Sequence, residues 1–369
     1  MNRRRALLAL GASAAAGGTW LGVRELDRAR IRRDPEYPRV FAPLDGRTVP
    51  VTAPDGTALN VQVFGREGAP TVVLTHGWTC ALRFWTYQIQ DLAADHRVVA
   101  WDLRGHGGSA RAASGDYSID AFGDDLQAVL DATVPAGERA VLAGHSMGGM
   151  TIVSWAGRHR ENVERRVAAV ALVSTGMGDL MSESLVVRAP ERFSNLNERI
   201  GTLLLASQAP LPKSPTPLVY RVVRHTALSP AATPAQVAFS ERLVLDCPTD
   251  VRAACAGTLS HLDLTERVQS VTAPTIVMVG EHDKLTPPVH AKRLEETLPA
   301  LSELVEVPRY GHMLPLEAHE QVTGVLRELS ARYAGPEPAA ASSSSSTVTA
   351  SAGSTGNGVP PSSASRSSA

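Results

Sequence analysis

The chain has 369 residues, 43% of them hydrophobic and 20% charged, with a formal net charge of −1. That balance suits a folded domain with a sizeable core and gives no electrostatic reason to expect nucleic acid as a partner. Cys80, Cys247 and Cys255 are too few and too scattered for a disulfide framework, and no Cys/His cluster has the spacing of a metal site.

Residues 1–46 read as a leader and linker. Asn2-Arg-Arg-Arg5 precedes Ala6 to Val23, an uncharged run rich in alanine and glycine. A basic start, a short apolar region and the small residues Ala12-Ser13-Ala14 describe a signal peptide. The arginine pair resembles a twin-arginine signal, without its usual polar residue and phenylalanine. The same 18 residues approach the lower limit for an uncleaved span. Export or membrane association through residues 6–23 is the expectation; a plain amphipathic or disordered leader on a cytoplasmic protein is the alternative.

From residue 47 to 335, short β-branched runs alternate with helical patterns. Val49-Pro-Val-Thr52 and Ala58 to Phe64 flank the turn Pro54-Asp-Gly56 and predict a hairpin. Thr71–Thr75, Arg97–Trp101, Ala140–Ala143, Val167–Val173, Thr275–Val279 and Leu304–Val307 complete the strands. The central runs are almost wholly apolar, as strands covered on both faces must be. Helices are expected at Ile119–Val134 and Met147–Arg160. A hairpin followed by β-α repeats implies a mostly parallel eight-stranded α/β sheet with helices on both faces. Between Thr175 and Pro274 no strand of comparable quality occurs. Arg188–Ser207 and Pro234–Leu245 read there as amphipathic helices joined by the proline-rich run Pro210–Pro217, so a helical insertion is expected. Residues 336–369, rich in serine and alanine, have too little apolar area to offset their ordering entropy and read as a disordered tail. Cys247 and Cys255 read as buried thiols, able to pair only in an oxidising compartment.

In a parallel sheet, reactive groups collect where strands end. Gly144-His-Ser-Met-Gly148 is a GxSxG pattern between a strand and a helix, and makes Ser146 the candidate nucleophile. An attacking serine creates an oxyanion that needs preorganised N–H donors. The backbone N–H groups of Met147 and of Trp78, in Thr75-His-Gly-Trp78, are the candidates. His76 reads as a structural tie for that loop. Asp283, in Val279-Gly-Glu-His-Asp283, and His312, in Pro308-Arg-Tyr-Gly-His312, follow the next-to-last and last strands. They complete the order serine, aspartate, histidine. Asp179 and Asp263 are rival acids. His145, beside the nucleophile, sits on the wrong side of the turn to act as its base.

These segments, with Asp102-Leu-Arg-Gly-His-Gly-Gly-Ser109 after the fourth strand, resemble the α/β-hydrolase family from about Val49 to Tyr333. The resemblance implies that the insertion at 176–261 is a cap over the substrate pocket, and that Asp102 and His106 shape a neighbouring loop. It implies a serine hydrolase acting on a small-molecule ester, with no cofactor or metal. Epoxide hydrolases and haloalkane dehalogenases of this fold carry an aspartate at the elbow, so the serine argues against both. Lactone, thioester and carbon–carbon hydrolases, haloperoxidase-like esterases, transacylases and non-catalytic ligand-binding members of the fold stay open. Leu203-Leu-Leu205, Leu218-Val-Tyr220 and Val222-Val223 in the cap suggest a lipophilic acyl chain, or else the cap's own core.

Overall fold

The computed structural model describes residues 22–184 and 211–334. The expected tail, most of the apolar leader and the helix expected at Arg188–Ser207 lie outside the described residues. Strands β1 (Arg47–Thr52), β2 (Ala58–Gly65), β3 (Thr71–Thr75), β4 (Arg97–Trp101), β5 (Ala140–His145), β6 (Val167–Val173), β7 (Thr275–Gly280) and β8 (Leu301–Val307) form one sheet. Its order is β1-β2-β4-β3-β5-β6-β7-β8. β2 runs antiparallel to both its neighbours, and every pairing from β4 to β8 is parallel. The mostly parallel eight-stranded sheet expected from the sequence is therefore present.

Every residue of β3, β5, β6 and β7 is buried, whereas the edge strands β1 and β8 are largely open. Successive side chains along a strand point to opposite faces. On one face Val73, Val99 and Leu142 meet α4 (Ile119–Thr133), α5 (Met147–Arg158) and α11 (Pro288–Thr297). On the other, Val72, Val98 and Val141 meet α3 (Thr86–Leu92) and α13 (His319–Tyr333). The alternation explains why a continuous apolar run is needed: each face requires its own set.

α6 (Arg160–Arg166) leads into β6, and between β6 and β7 lie α7 (Leu180–Glu183), α8 (Pro217–Ala227), α9 (Pro234–Asp246) and α10 (Thr249–Ser260). The proline-rich run ends as a helix start, not only a connector. Pro217 occupies the first turn of α8, and Thr216 caps it by accepting from the Val219 N–H. α9 begins in the same way, with a reciprocal capping box between Thr233 and Gln236.

Residues ahead of β1 also pack on this framework, in α1 (22–32) and α2 (Tyr37–Val40). Asp34 accepts from the Ala235 N–H at the start of α9, Tyr87 donates to Glu36, and Phe41 meets Phe239 edge-on.

Candidate active site

β3 and β5 are neighbours, but the chain leaves β3 toward β4 on one side and leaves β5 toward β6 on the other. A crevice opens beyond the ends of such strands. Ser146 stands there as the residue before α5, with φ 52° and ψ −121°. A non-glycine residue rarely adopts this backbone, which costs on the order of 1–3 kcal/mol and persists only when surroundings over-determine it. Here they do. The Ser146 N–H donates to the Val173 carbonyl, while the Ser146 carbonyl accepts from the Thr175 hydroxyl and the Gly149 N–H.

Close approach requires glycine on both sides of the crevice. A Cβ on Gly148 would lie 2.2 Å from the Thr75 carbonyl oxygen. One on Gly77 would lie 3.0 Å from the Ser146 Cβ. The β3 loop and the start of α5 are thus pressed together, and bring the Trp78 and Met147 backbones to the same crevice. Neither backbone N–H has a hydrogen-bond partner among the described residues. The Trp78 indole donates to the Arg252 carbonyl in α10, so its ring reaches from the β3 loop to the helical insertion.

Asp283 and His312 arrive from the ends of β7 and β8. His312 Nδ1 lies 2.9 Å from Asp283 Oδ2 and 3.1 Å from Oδ1. The carboxylate is fully buried and also accepts from the Leu285 and Thr286 N–H groups and the Thr286 hydroxyl. These donors fix its orientation before the histidine is considered. His312 is itself buried, and its N–H donates to the Ala227 carbonyl at the end of α8.

The profile of the alpha/beta hydrolase fold matches residues 70–318. The chain belongs to the α/β-hydrolase family. It is 30% identical over 265 residues to the dihydrolipoyllysine-residue acetyltransferase component of the acetoin cleaving system of Pseudomonas putida. That match covers 70% of this chain and 62% of the relative, so this α/β hydrolase spans less than two thirds of that protein's length. It is 25% identical over 304 residues to 3-oxoadipate enol-lactonase 2 of Acinetobacter baylyi, covering 77% of this chain and 96% of the relative. A thermophilic esterase of Thermogutta terrifontis, solved with malate, shares the fold at a TM-score of 0.61 and 24% identity, over 78% of this chain and 99% of that one. An ester-type hydrolase acting on a small molecule is the activity these relatives support.

The rival acids of this α/β hydrolase have other partners. Asp179 is exposed, heads α7 and pairs with Arg293. Asp263 is exposed and accepts from the Thr265 N–H. His76 ties two loops, donating from Nδ1 to the Gly77 carbonyl and accepting at Nε2 from the Leu103 N–H. Burial lowers its pKa to about 4, consistent with a neutral ring. Asp102 accepts from the Leu82 and Gly108 N–H groups and the Asn60 amide. Arg104 of the same segment makes a buried two-pronged pair with Asp125.

Two contacts escaped sequence reasoning. His145 donates from Nε2 to the His312 carbonyl at 2.9 Å. Glu317, buried on α12 (Leu314–Glu317), accepts from the Ser229 and Met313 N–H groups. Only its burial distinguishes this carboxylate from an ordinary surface acid. The apolar cap residues divide: Tyr220 and Val223 are core, whereas Leu218 and Val222 face outward. Leu203-Leu-Leu205 lies outside the described residues. All three cysteines are buried as free thiols, and burial raises their pKa, that of Cys247 to about 12.

Proposed function

We propose that this α/β hydrolase cleaves a carboxylic ester with a lipophilic acyl group through an acyl-serine intermediate. Ser146 is the nucleophile, His312 the general base and Asp283 its orienting partner. The observation that carries this reading is the 2.9 Å hydrogen bond between His312 Nδ1 and Asp283, on a loop gripped by the residue next to Ser146.

With Nδ1–H donated to the carboxylate, the lone pair of His312 sits on Nε2. That nitrogen takes the Ser146 proton as Oγ attacks the ester carbonyl. The tetrahedral oxyanion is received by the N–H groups of Met147 and Trp78, each worth about 3 kcal/mol in the transition state. His312 returns the proton to the departing alcohol, and then activates the water that releases the acid. Asp283 stays ionised throughout and stabilises the imidazolium. An apolar acyl group is supported by Trp78, an aromatic side chain left partly open beside the Ser146 turn, whose indole reaches the Arg252 carbonyl.

A fluorophosphonate probe tests the nucleophile: labelling is expected at Ser146 and is lost in Ser146→Ala. A folded protein that takes no label overturns the reading. Hydrolysis of p-nitrophenyl esters of increasing chain length tests the acyl preference, which fails if acetate is cleaved faster than octanoate.

A further inference from the structure

Among the described residues, the exposed large hydrophobics are Leu26 at 72%, Leu218 at 71% and Val222 at 50%. They are close together: Leu26 is on α1, Leu218 and Val222 on α8, and the Arg221–Asp27 ion pair joins the two helices. On α8, positions 218, 221, 222 and 225 are all exposed, while Pro217, Tyr220 and Val223 are buried. Helical spacing therefore gives α8 an inward stripe and a second, outward one.

This outward face is cationic. Residues 22–33 carry five arginines against Glu25 and Asp27, and α8 adds Arg221 and Arg224 with no acid. Arg30, Arg32, Arg33 and Arg224 have no carboxylate partner among the described residues. Together residues 22–33 and α8 carry seven arginines against two acids, a local excess of positive charge in a chain whose net charge is −1. A groove of about 940 Å³ lies between α1 and the α8–α9 connection, where Leu26, Arg30, Arg33 and Arg221 meet Asp27 and Asp34. The uncharged stretch Ala6–Val23 runs directly into α1.

We propose that the outward face of α1 and α8 docks on an anionic lipid bilayer, with Leu26, Leu218 and Val222 entering the headgroup boundary and the arginines pairing with lipid phosphates. Apolar side chains ringed by arginine on a helix face suit that interface, since burial and attraction to anionic headgroups act together. A protein partner would need a larger apolar area than these three side chains supply. Docking brings the cap to the surface of the bilayer. α8, whose last residue holds the His312 N–H through the Ala227 carbonyl, would lie flat on the lipid. Docking does not require the ester chemistry, and binding is read without turnover.

The test is co-sedimentation of the full chain with vesicles of phosphatidylcholine alone and with added phosphatidylglycerol. Binding to the anionic vesicles, weakened by salt, is expected. The triple variant Leu26→Glu, Leu218→Glu, Val222→Glu should lower partitioning by about tenfold or more with unchanged circular dichroism. Should that variant fail to fold, Arg30→Gln, Arg33→Gln, Arg224→Gln decides, and should remove the preference for anionic lipid. Equal binding of the wild type to neutral vesicles overturns the proposal. So does binding that survives both variants, which would assign it to residues 1–21. A variant that halves the mass in solution while the wild type ignores vesicles would assign the face to a second copy of the chain.

Discussion

His145 holds His312 of the neighbouring loop by its backbone: its Nε2–H donates to the His312 carbonyl at 2.9 Å, with the two rings 4.8 Å apart. Burial lowers the pKa of His145 well below the ordinary histidine value, which keeps the ring neutral and leaves Nε2 as its donor. The residue before the proposed nucleophile thus sets the height of the loop bearing the proposed base. Removing a buried donor costs about 1–3 kcal/mol. His145→Ala should therefore lower kcat roughly tenfold on a short soluble ester, with KM changed less than about twofold. His145→Gln, which can still donate, should recover part of the loss. Equal kcat in all three proteins would remove the positioning role.

Two glycine-to-alanine changes should move stability in opposite directions. Gly148→Ala puts a methyl 2.2 Å from the Thr75 carbonyl oxygen, against backbone that cannot yield without displacing β3. A loss of about 2–3 kcal/mol is expected in urea unfolding, of the size overpacking produces. Gly324, in α13, has nothing within 4 Å of an added Cβ. Gly324→Ala should stabilise by about 1 kcal/mol through helix propensity alone. A neutral Gly148→Ala would mean that the β3 loop and α5 are not held as described.

The framework was legible because burial on both faces leaves an unmistakable trace. β3, β5, β6 and β7 have no solvent-facing positions, so their runs could not be confused with amphipathic helices. Ser146, Asp283 and His312 could be singled out as candidates because strand ends are where a parallel sheet exposes side chains. α10 was not legible: Ala253-Ala-Cys-Ala-Gly257 is built from small residues and shows no apolar stripe. The direction of Leu218 and Val222 was not legible either, since composition does not say which side of a cap helix meets its own core. Contacts such as His145 to His312, 167 positions apart, depend on the relative height of two loops, which no local pattern encodes.

The loop after β4 should add an acid-labile element. His106 is buried beside His76, with Nδ1 donating to the Arg104 carbonyl and Nε2 unpartnered among the described residues. Burial lowers its pKa to about 3, whereas an unfolded chain has an ordinary value of about 6.5. Below the ordinary value the unfolded state binds a proton that the folded state refuses, so the stability due to this residue is present above it and lost as pH falls. The loss between about pH 6.5 and 4.5 should approach roughly 2 kcal/mol. His106→Gln removes the titration, so the stability of the wild type relative to this variant should shrink over that interval. Parallel stability curves for the two proteins would contradict the assignment.

Glu317 joins the α8–α9 connection to the loop bearing His312. Its Oε2 accepts from the Ser229 N–H at 2.8 Å and its Oε1 from the Met313 N–H at 3.1 Å, so one carboxylate spans the α8–α9 connection and the residue after His312. Burial raises its pKa, opposed by these hydrogen bonds. Gly311 permits the approach, since a Cβ there would lie 2.7 Å from the Ser229 nitrogen. Glu317→Gln keeps the shape but replaces one acceptor with a donor, and turns that donor toward an N–H. A loss of about 2 kcal/mol in stability is expected. Because the His312 loop loses one of its two ties to the cap linker, kcat should fall about tenfold, while His145 still grips the His312 carbonyl. Combining Glu317→Gln with His145→Ala should cost more than the sum of the single changes, since each tie limits how far the loop shifts when the other is cut. Strict additivity in kcat would show that the two contacts hold different things.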